Sequence, residues 1–262
     1  MSTIDVENLS FAYPGTDTLI LSDVNMHVNE GDFVCLLGQS GCGKSTFLRL
    51  LAGLEAPTGG TISVGGEAIE GTSLNRSVVF QDYGLFPWMS AGENIVLALQ
   101  QRFPDKSKGE CRQIAKDALA EVGLPEEVFG KYPKELSGGM KQRCAIARSF
   151  SMNPPILLMD EPFGALDAVT RARLQDMVQA LWSHEEHKKT VFFVTHDVEE
   201  ALLLATRICV FGQSPSHIIF EKEIPLESKP NRHDMYESRF IMDLRNELVG
   251  YINQDVMNHV GE

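Results

Sequence analysis

Gly38-Gln39-Ser40-Gly41-Cys42-Gly43-Lys44-Ser45-Thr46 follows directly on the apolar run Phe33-Val34-Cys35-Leu36-Leu37 and leads into residues 46–52, whose apolar positions fall at helical spacing. A GxxxxGK[ST] match at a strand-to-helix turn is the context a phosphate-cradling loop requires. Glycines at 38, 41 and 43 let backbone N–H groups curl around a phosphate without Cβ clashes, and the helix N-terminus adds a favourable field. Lys44 is placed to reach the β and γ phosphates, and Ser45 offers a hydroxyl to Mg²⁺. With glycine at ~7% of average composition, a chance match in a chain this long is on the order of one in a hundred. Cys42 lies inside the loop, where backbone dipoles and Lys44 should lower the thiol pKa and favour a reactive thiolate, unless the side chain turns away from the ligand into the core, where it would be inert.

Outward from this loop, strand-length apolar segments ending in small or polar residues recur at 77–80, 156–159 and 191–194, the pattern of buried parallel strands. Helical stretches such as 46–52 and 198–205 lie between them, which predicts an α/β core with its ligand at the carboxyl ends of the strands. Residues 4–10 and 21–28 alternate and are broken by Pro14-Gly15, and 61–64 follow Gly59-Gly60; short antiparallel strands flanking the core are expected there. From 85 to 153 the pattern is helical, with 92–101, 108–122 and 138–150 as candidates, so a helical subdomain inserted into the core is expected. After Gly212 a polar link with Pro215, Pro225 and Pro230 leads to a tail where Phe240, Ile241, Leu244, Leu248, Tyr251 and Ile252 fall at helical spacing. The expected organisation is one domain over 1–220 and a tail over 221–262 with an amphipathic helix.

Composition narrows the function classes. The chain has 262 residues, 43% of them hydrophobic, enough for a substantial core. Its 23 Lys and Arg against 36 Asp and Glu give a net charge of -13, the wrong sign for gripping a phosphate backbone, so no nucleic-acid partner is expected. Residues 1–7 carry neither a basic start nor an apolar stretch, and no apolar run is long enough to span a bilayer. Five scattered cysteines, with no CxxC pair, suit a reducing cytoplasm.

Ile156-Leu157-Leu158-Met159-Asp160-Glu161 is an apolar strand ending in two carboxylates and resembles a Walker B strand, with Asp160 to hold the Mg²⁺ shell and Glu161 to polarise the attacking water. Leu136-Ser137-Gly138-Gly139-Met140, followed by Lys141-Gln142-Arg143, is a second anion site in its own right: a Ser cap, two glycines and a helix dipole. It resembles the signature sequence of ABC ATPases.

That resemblance runs from about residue 4 to 212 and implies a P-loop ABC ATPase with a RecA-like core, an antiparallel β subdomain and an inserted helical subdomain. It implies ATP and Mg²⁺ as ligands, with Gly38 to Thr46 (Gln39, Ser40, Cys42 and Thr46 included) forming the ATP cradle and Lys44 serving catalysis. Tyr13, in Phe11-Ala12-Tyr13, matches the aromatic that stacks on adenine. Gln81 matches the Q-loop glutamine at the Mg²⁺ or water, and Gly164-Ala165-Leu166-Asp167 resembles the D-loop at the dimer interface. His196 matches the switch histidine at the γ-phosphate. In the family two subunits pair head to tail, so ATP on one P-loop is closed by Ser137, Gly138 and Gly139 of the other. Met140 departs from the commonest pattern, where Gln stands, and is expected to affect helix packing more than catalysis.

Gln81-Asp82-Tyr83-Gly84-Leu85-Phe86-Pro87-Trp88 and Gly92-Glu93-Asn94, with the Met140 signature, Pro162-Phe163-Gly164 and the tail element Lys229-Pro230-Asn231-Arg232-His233-Asp234, resemble bacterial importers of nitrate, taurine and aliphatic sulfonates. The resemblance implies a second ATPase subunit, a transmembrane permease, an extracytoplasmic solute-binding protein and a peripheral place on the cytoplasmic face of the inner membrane. Trp88 would lie near the groove for a permease coupling helix or pack in the core. Other readings are an importer of polyamines or amino acids, an ABC ATPase acting on DNA or ribosomes, and a non-catalytic regulatory relative. The last would be expected to lack Glu161, and the DNA or ribosome class usually carries long coiled-coil inserts or duplicated cassettes.

Overall fold

The computed structural model describes residues 3–164, 166–183 and 188–260. The chain runs β1 (Ile4–Ala12), β2 (Leu19–Val28), β3 (Phe33–Leu37), α1 (Lys44–Ala52), β4 (Gly59–Val64), β5 (Glu67–Ala68), β6 (Arg76–Val79), α2 (Ala91–Arg102), α3 (Lys108–Glu121) and α4 (Gly138–Ser151). It continues with β7 (Ile156–Asp160), α5 (Ala168–Ser183), β8 (Thr190–Thr195), α6 (Val198–Leu204), β9 (Arg207–Phe211), β10 (Ile218–Glu223) and α7 (Arg239–Val260). Two compact units result, Met1–Ser73 with Glu186–Glu262, and Leu74–Glu185.

In the first unit an antiparallel sheet has the order β2-β1-β4-β5. Ile4, Val6, Leu9 and Phe11 of β1 and Leu21, Val24, Met26 and Val28 of β2 turn inward, as period-two patterning demands. The phase slips between Val6 and Leu9, where Asn8 takes a positive φ of 48° and the pairing register shifts. A second, mixed sheet has the order β10-β9-β3-β8 within this unit. β3, β8 and β9 have every side chain buried and pair in parallel around β3, which is why β3 and β8 read as apolar runs without alternation. The β3–β8 register sets Leu37 beside Thr195, so the phosphate loop and His196 leave adjacent strand ends.

At the other end of β9, the buried Arg207 guanidinium binds Glu221 and Glu223 of β10 and lies 3.6 Å from Asp32. α7 closes this unit: Ile241, Leu244 and Leu248 are buried, the Phe220 and Tyr251 rings meet at 4.7 Å, and the helix packs on α6, β9 and β10.

In the second unit β6 and β7 pair in parallel, Val79 opposite Met159, and α2, α3 and α4 pack on one another. Capping boxes at Ser90/Glu93 and Ser107/Glu110 start α2 and α3 by satisfying orphan N–H groups. The buried Asn94 amide bonds the carbonyls of Phe86, Met89 and Ser90, and its oxygen accepts from Phe86 N, so the loop before α2 has a fixed path.

The expected strands and helices form, with shifts of a residue or two at their ends. The boundary expected at 220/221 falls inside β10, and residues 221–262 share a compact unit with 1–73. The helical region expected over 85–153 lies within a larger unit that also holds β6, β7 and α5. Among the described residues no helix is long and apolar enough to cross a membrane.

Arg207→Ala should leave three carboxylates around an empty position and lower stability by about 1–2 kcal/mol, below the scale of a fully buried pair because Glu221 and Glu223 are partly exposed. Denaturant titration would measure it, and Arg207→Lys should recover part of the loss.

Candidate nucleotide-binding and hydrolysis site

The phosphate loop begins where β3 ends. A Cβ at Gly38 would lie 2.6 Å from the Phe211 carbonyl oxygen, and one at Gly43 would lie 2.9 Å from Leu21 Cδ2, with φ at +101°. Backbone approach on one side and a left-handed turn on the other therefore both require glycine. Gly43 is also the N-cap of α1 and makes no side-chain cap hydrogen bond, and a helix N-terminus of this kind favours an anion. Lys44 is buried and donates to the carbonyls of Gly38 (2.8 Å) and Gln39 (2.7 Å), spanning its own loop. Gln39, Ser40, Gly41 and Ser45 are exposed. Tyr13 meets Phe11 edge-on at 4.9 Å, and its hydroxyl lies 3.1 Å from Thr46 Oγ1. The Tyr13 side chain therefore stands at the start of α1, 38% exposed, with ring area left for a planar base.

Cys42 departs from the expectation of a reactive thiolate. Its side chain is buried, and burial pushes the thiol pKa up, outweighing the opposing pull of Lys44, whose Nζ is 3.5 Å from Sγ. Cys42 points behind the loop toward Gly38, where a Cβ would lie 3.0 Å from Sγ.

His196 is exposed between β8 and α6, and both of its neighbours are fixed. Thr195 Oγ1 donates to Glu200 Oε2 at 2.7 Å and accepts from Asp197 N at 3.0 Å, while Asp197 caps α6 by accepting from Glu199 N and Glu200 N. The imidazole thus projects from a rigid strand-to-helix corner.

In the second unit β7 delivers Asp160 and Glu161 half-buried at its end. Glu161 has a φ of 41°, a left-handed conformation uncommon for glutamate, and its carbonyl accepts from Gly164 N at 3.3 Å. Gln81 is exposed just beyond β6, with Phe80 rather than Gln81 following the strand. The loop after it is held by Arg148 of α4, which donates to Gly84 O at 2.6 Å and Tyr83 O at 3.3 Å. Burial lowers the pKa of this guanidinium. Arg148 was missed in the sequence, although a charge closing the apolar run Cys144-Ala145-Ile146-Ala147 was the available signal.

Ser137 caps α4, accepting from Met140 N at 3.3 Å, and Ser137 and Gly138 are exposed, with no acidic residue in the first helical turn. A Cβ at Gly138 would lie 3.2 Å from the Tyr83 hydroxyl, and one at Gly139 would lie 3.0 Å from Thr170 Cγ2. Met140 takes its place in the cap through its backbone. Asp167 caps α5, accepting from Thr170 N (3.0 Å) and Val169 N (3.1 Å), and the bond from Thr170 is the main reason its carboxyl pKa is low. Ala165 of the D-loop lies outside the described residues. Trp88 is 71% exposed and stacks on Phe86 at 5.4 Å, which removes the core-packing reading.

A glycine loop closed by a lysine, an adjacent switch corner and a strand ending in paired carboxylates define a P-loop nucleotide-binding protein. The family model described as "ABC transporter" matches residues 21–164, and the chain belongs to that family. It is 42% identical over 253 residues to the bicarbonate transport ATP-binding protein CmpD of Synechocystis sp., covering 95% of this chain and 88% of the relative. It is 42% identical over 249 residues to the nitrate import ATP-binding protein NrtD of Synechococcus elongatus, covering 95% and 90%. Among solved structures, the ATP-binding cassette MJ0796, dimeric in a post-hydrolysis state bound to ADP and Pi, superposes with a TM-score of 0.76 at 32% identity, covering 85% of this chain and 99% of that one. The fold is that of an ABC ATPase, and the protein is an ATP-binding enzyme of that kind.

In the native chain Cys42 should react with a maleimide far more slowly than an exposed thiol, and its labelling should rise on denaturation. Peptide mapping before and after unfolding measures this; rapid native labelling blocked by nucleotide would restore the thiolate reading.

Proposed function

We propose that this chain is the ATP-hydrolysing subunit of an importer for a small oxyanion, the nitrate and bicarbonate class that its relatives' names state. The taurine and sulfonate solutes raised by the sequence share the anionic head. The observation that carries the catalytic part is the β3–β8 register, which brings the phosphate loop and the His196 corner out at neighbouring strand ends. Lys44 and the loop N–H groups hold the β and γ phosphates, Tyr13 takes the adenine, and His196 orients the γ-phosphate. Glu161 acts as general base toward the attacking water. Ser45, Asp160 and Gln81 offer oxygen donors of the type Mg²⁺ prefers, and the ion would neutralise phosphate charge.

A second copy of the chain supplies Ser137, Gly138 and Gly139 to the γ-phosphate, with Asp167 at the interface. The exposed Ser137 and Gly138 at the start of α4 support this reading, as does the dimeric state of the similar cassette. The γ-phosphate then joins the two subunits, and hydrolysis releases them. The Phe86–Trp88 pair is an exposed apolar feature suited to a permease helix at the cytoplasmic face of the membrane, with the solute-binding protein acting through that permease.

Glu161→Gln keeps the side-chain shape but cannot take a proton. Hydrolysis should fall by about 10²–10⁴-fold while nucleotide binding persists. The variant should accumulate as an ATP-bound dimer in light scattering; a monomer hydrolysing at the parental rate would refute the assignment.

Closure in trans predicts complementation. Lys44→Ala and Ser137→Arg subunits, each inactive alone, should recover about a quarter of the parental rate when mixed equally, since half the dimers are mixed and each retains one intact composite site. No recovery with heterodimers demonstrated would count against it.

A further inference from the structure

α6 begins one residue after the His196–Asp197 step, and its first turn is tied to the C-terminal segment by side chains that the hydrolysis mechanism does not use. Tyr236 donates its hydroxyl to Glu199 Oε2 at 2.8 Å, and Arg245 Nε of α7 lies 3.9 Å from Glu199 Oε1. Glu199 is also one of the two residues whose N–H groups Asp197 caps. From Glu199 the bonds run on without a gap: Asp197 to Thr195, and Thr195 to Glu200, enclosing His196 on both sides. The far end of α6 is held as well, because Lys229 donates to Leu204 O at 2.6 Å and lies over the Phe33 ring at 5.6 Å. A cation at the C-terminal carbonyls of a helix is also the favourable sign for its dipole.

α7 then reaches the other side of the site. At about 1.5 Å per residue its 22 residues span about 33 Å. Near its far end Asp255 accepts from Gln213 N at 2.9 Å, in the turn after β9. That turn bonds back to Ile20 through Ser216 N, and Ile20 and Leu21 are the side chains against which Gly43 of the phosphate loop packs.

We propose that Tyr236 and Arg245 are positioning residues for hydrolysis: through Glu199 they fix the first turn of α6 and thereby the direction in which His196 projects. The inference rests on His196 acting at the γ-phosphate. Asp255 braces the same strut against the turn behind the phosphate loop, so α7 spans between the two loops that meet the phosphates. The contacts with Glu199 are half exposed and add little to global stability, whereas the loop they orient needs angular accuracy.

The test is steady-state hydrolysis by the full chain carrying Tyr236→Phe with Arg245→Ala, together with Glu199→Gln alone and the triple combination. The double variant should lose about tenfold in kcat with nucleotide affinity and Tm near parental, since an interaction made through orientation is lost in kcat rather than in binding. Glu199→Gln should lose less, because its amide oxygen still accepts from Tyr236, and the triple variant should lose no more than the double, because one connection is being cut. Tyr236→Phe with Arg245→Lys should recover part of the rate. Hydrogen exchange at residues 195–201 should quicken in the double variant and stay parental at 38–46. An unchanged kcat, additive losses, or a loss that tracks Tm would overturn the proposal. His196→Ala provides the separate control: if it hydrolyses at the parental rate, the assignment of His196 fails and takes this inference with it, whereas an inactive His196→Ala beside a fully active double variant refutes the tail's role alone.

Discussion

The in-register parallel pairing of β3 with β8 and β9 is the constraint on which the first unit depends. Residues 33–37 have no exposed side chain, so this strand gains its stability from burial on both faces and from the ladders on either edge. Phe47 of α1 sits against Phe192 of β8 and Phe211 of β9, at 6.4 and 5.3 Å, which ties the helix of the phosphate loop to both of β3's neighbours. Because both faces are apolar, hydrophobic alternation cannot fix the register. Arg207 does so instead: a one-residue slip of β9 would carry its guanidinium away from Asp32, Glu221 and Glu223 and bury it unpaired.

The second unit carries its candidate catalytic residues on loops under tighter local control. Glu161 holds a left-handed φ, a conformation that costs on the order of 1–3 kcal/mol and is maintained where surrounding structure over-determines it. Arg148 carries a comparable load. Its guanidinium is desolvated in order to bind two carbonyls of the loop after Gln81, so α4, whose N-terminus presents Ser137, also fixes the path of the Gln81 loop.

Much of this was legible in the residues. The phosphate loop, the strand ending in Asp160 and Glu161, and the capped start of α4 are all local patterns whose chemistry forces their conformation. The loop thiol was not, because a dipole argument gives the field at the loop but not the direction of the Cys42 side chain. β9 and β10 escaped notice for a related reason. Arg207 opens β9, while β10 is half exposed and ends in Glu221-Lys222-Glu223, so two charges that look like part of a solvated link are the partners of a buried arginine. The tail's helical spacing was visible. Its attachment to α6 through Tyr236, Lys229 and Arg245 was not, since long-range pairing between exposed polar residues leaves no periodicity to read.

Gly139 answers to two demands at once. Its backbone belongs to the start of α4, while the space a Cβ would fill lies 3.0 Å from the Thr170 methyl at the start of α5, so the absence of a side chain also leaves room for that residue. A side chain at 139 would press on Thr170, which must give by a few tenths of an ångström, in the isolated subunit, before a partner or a nucleotide is involved. Loss of function at this position therefore mixes an intramolecular packing defect with an intermolecular one, and a genetic screen would score the two alike. Substitutions at Ser137, which is exposed and bonds only within its own cap, separate them.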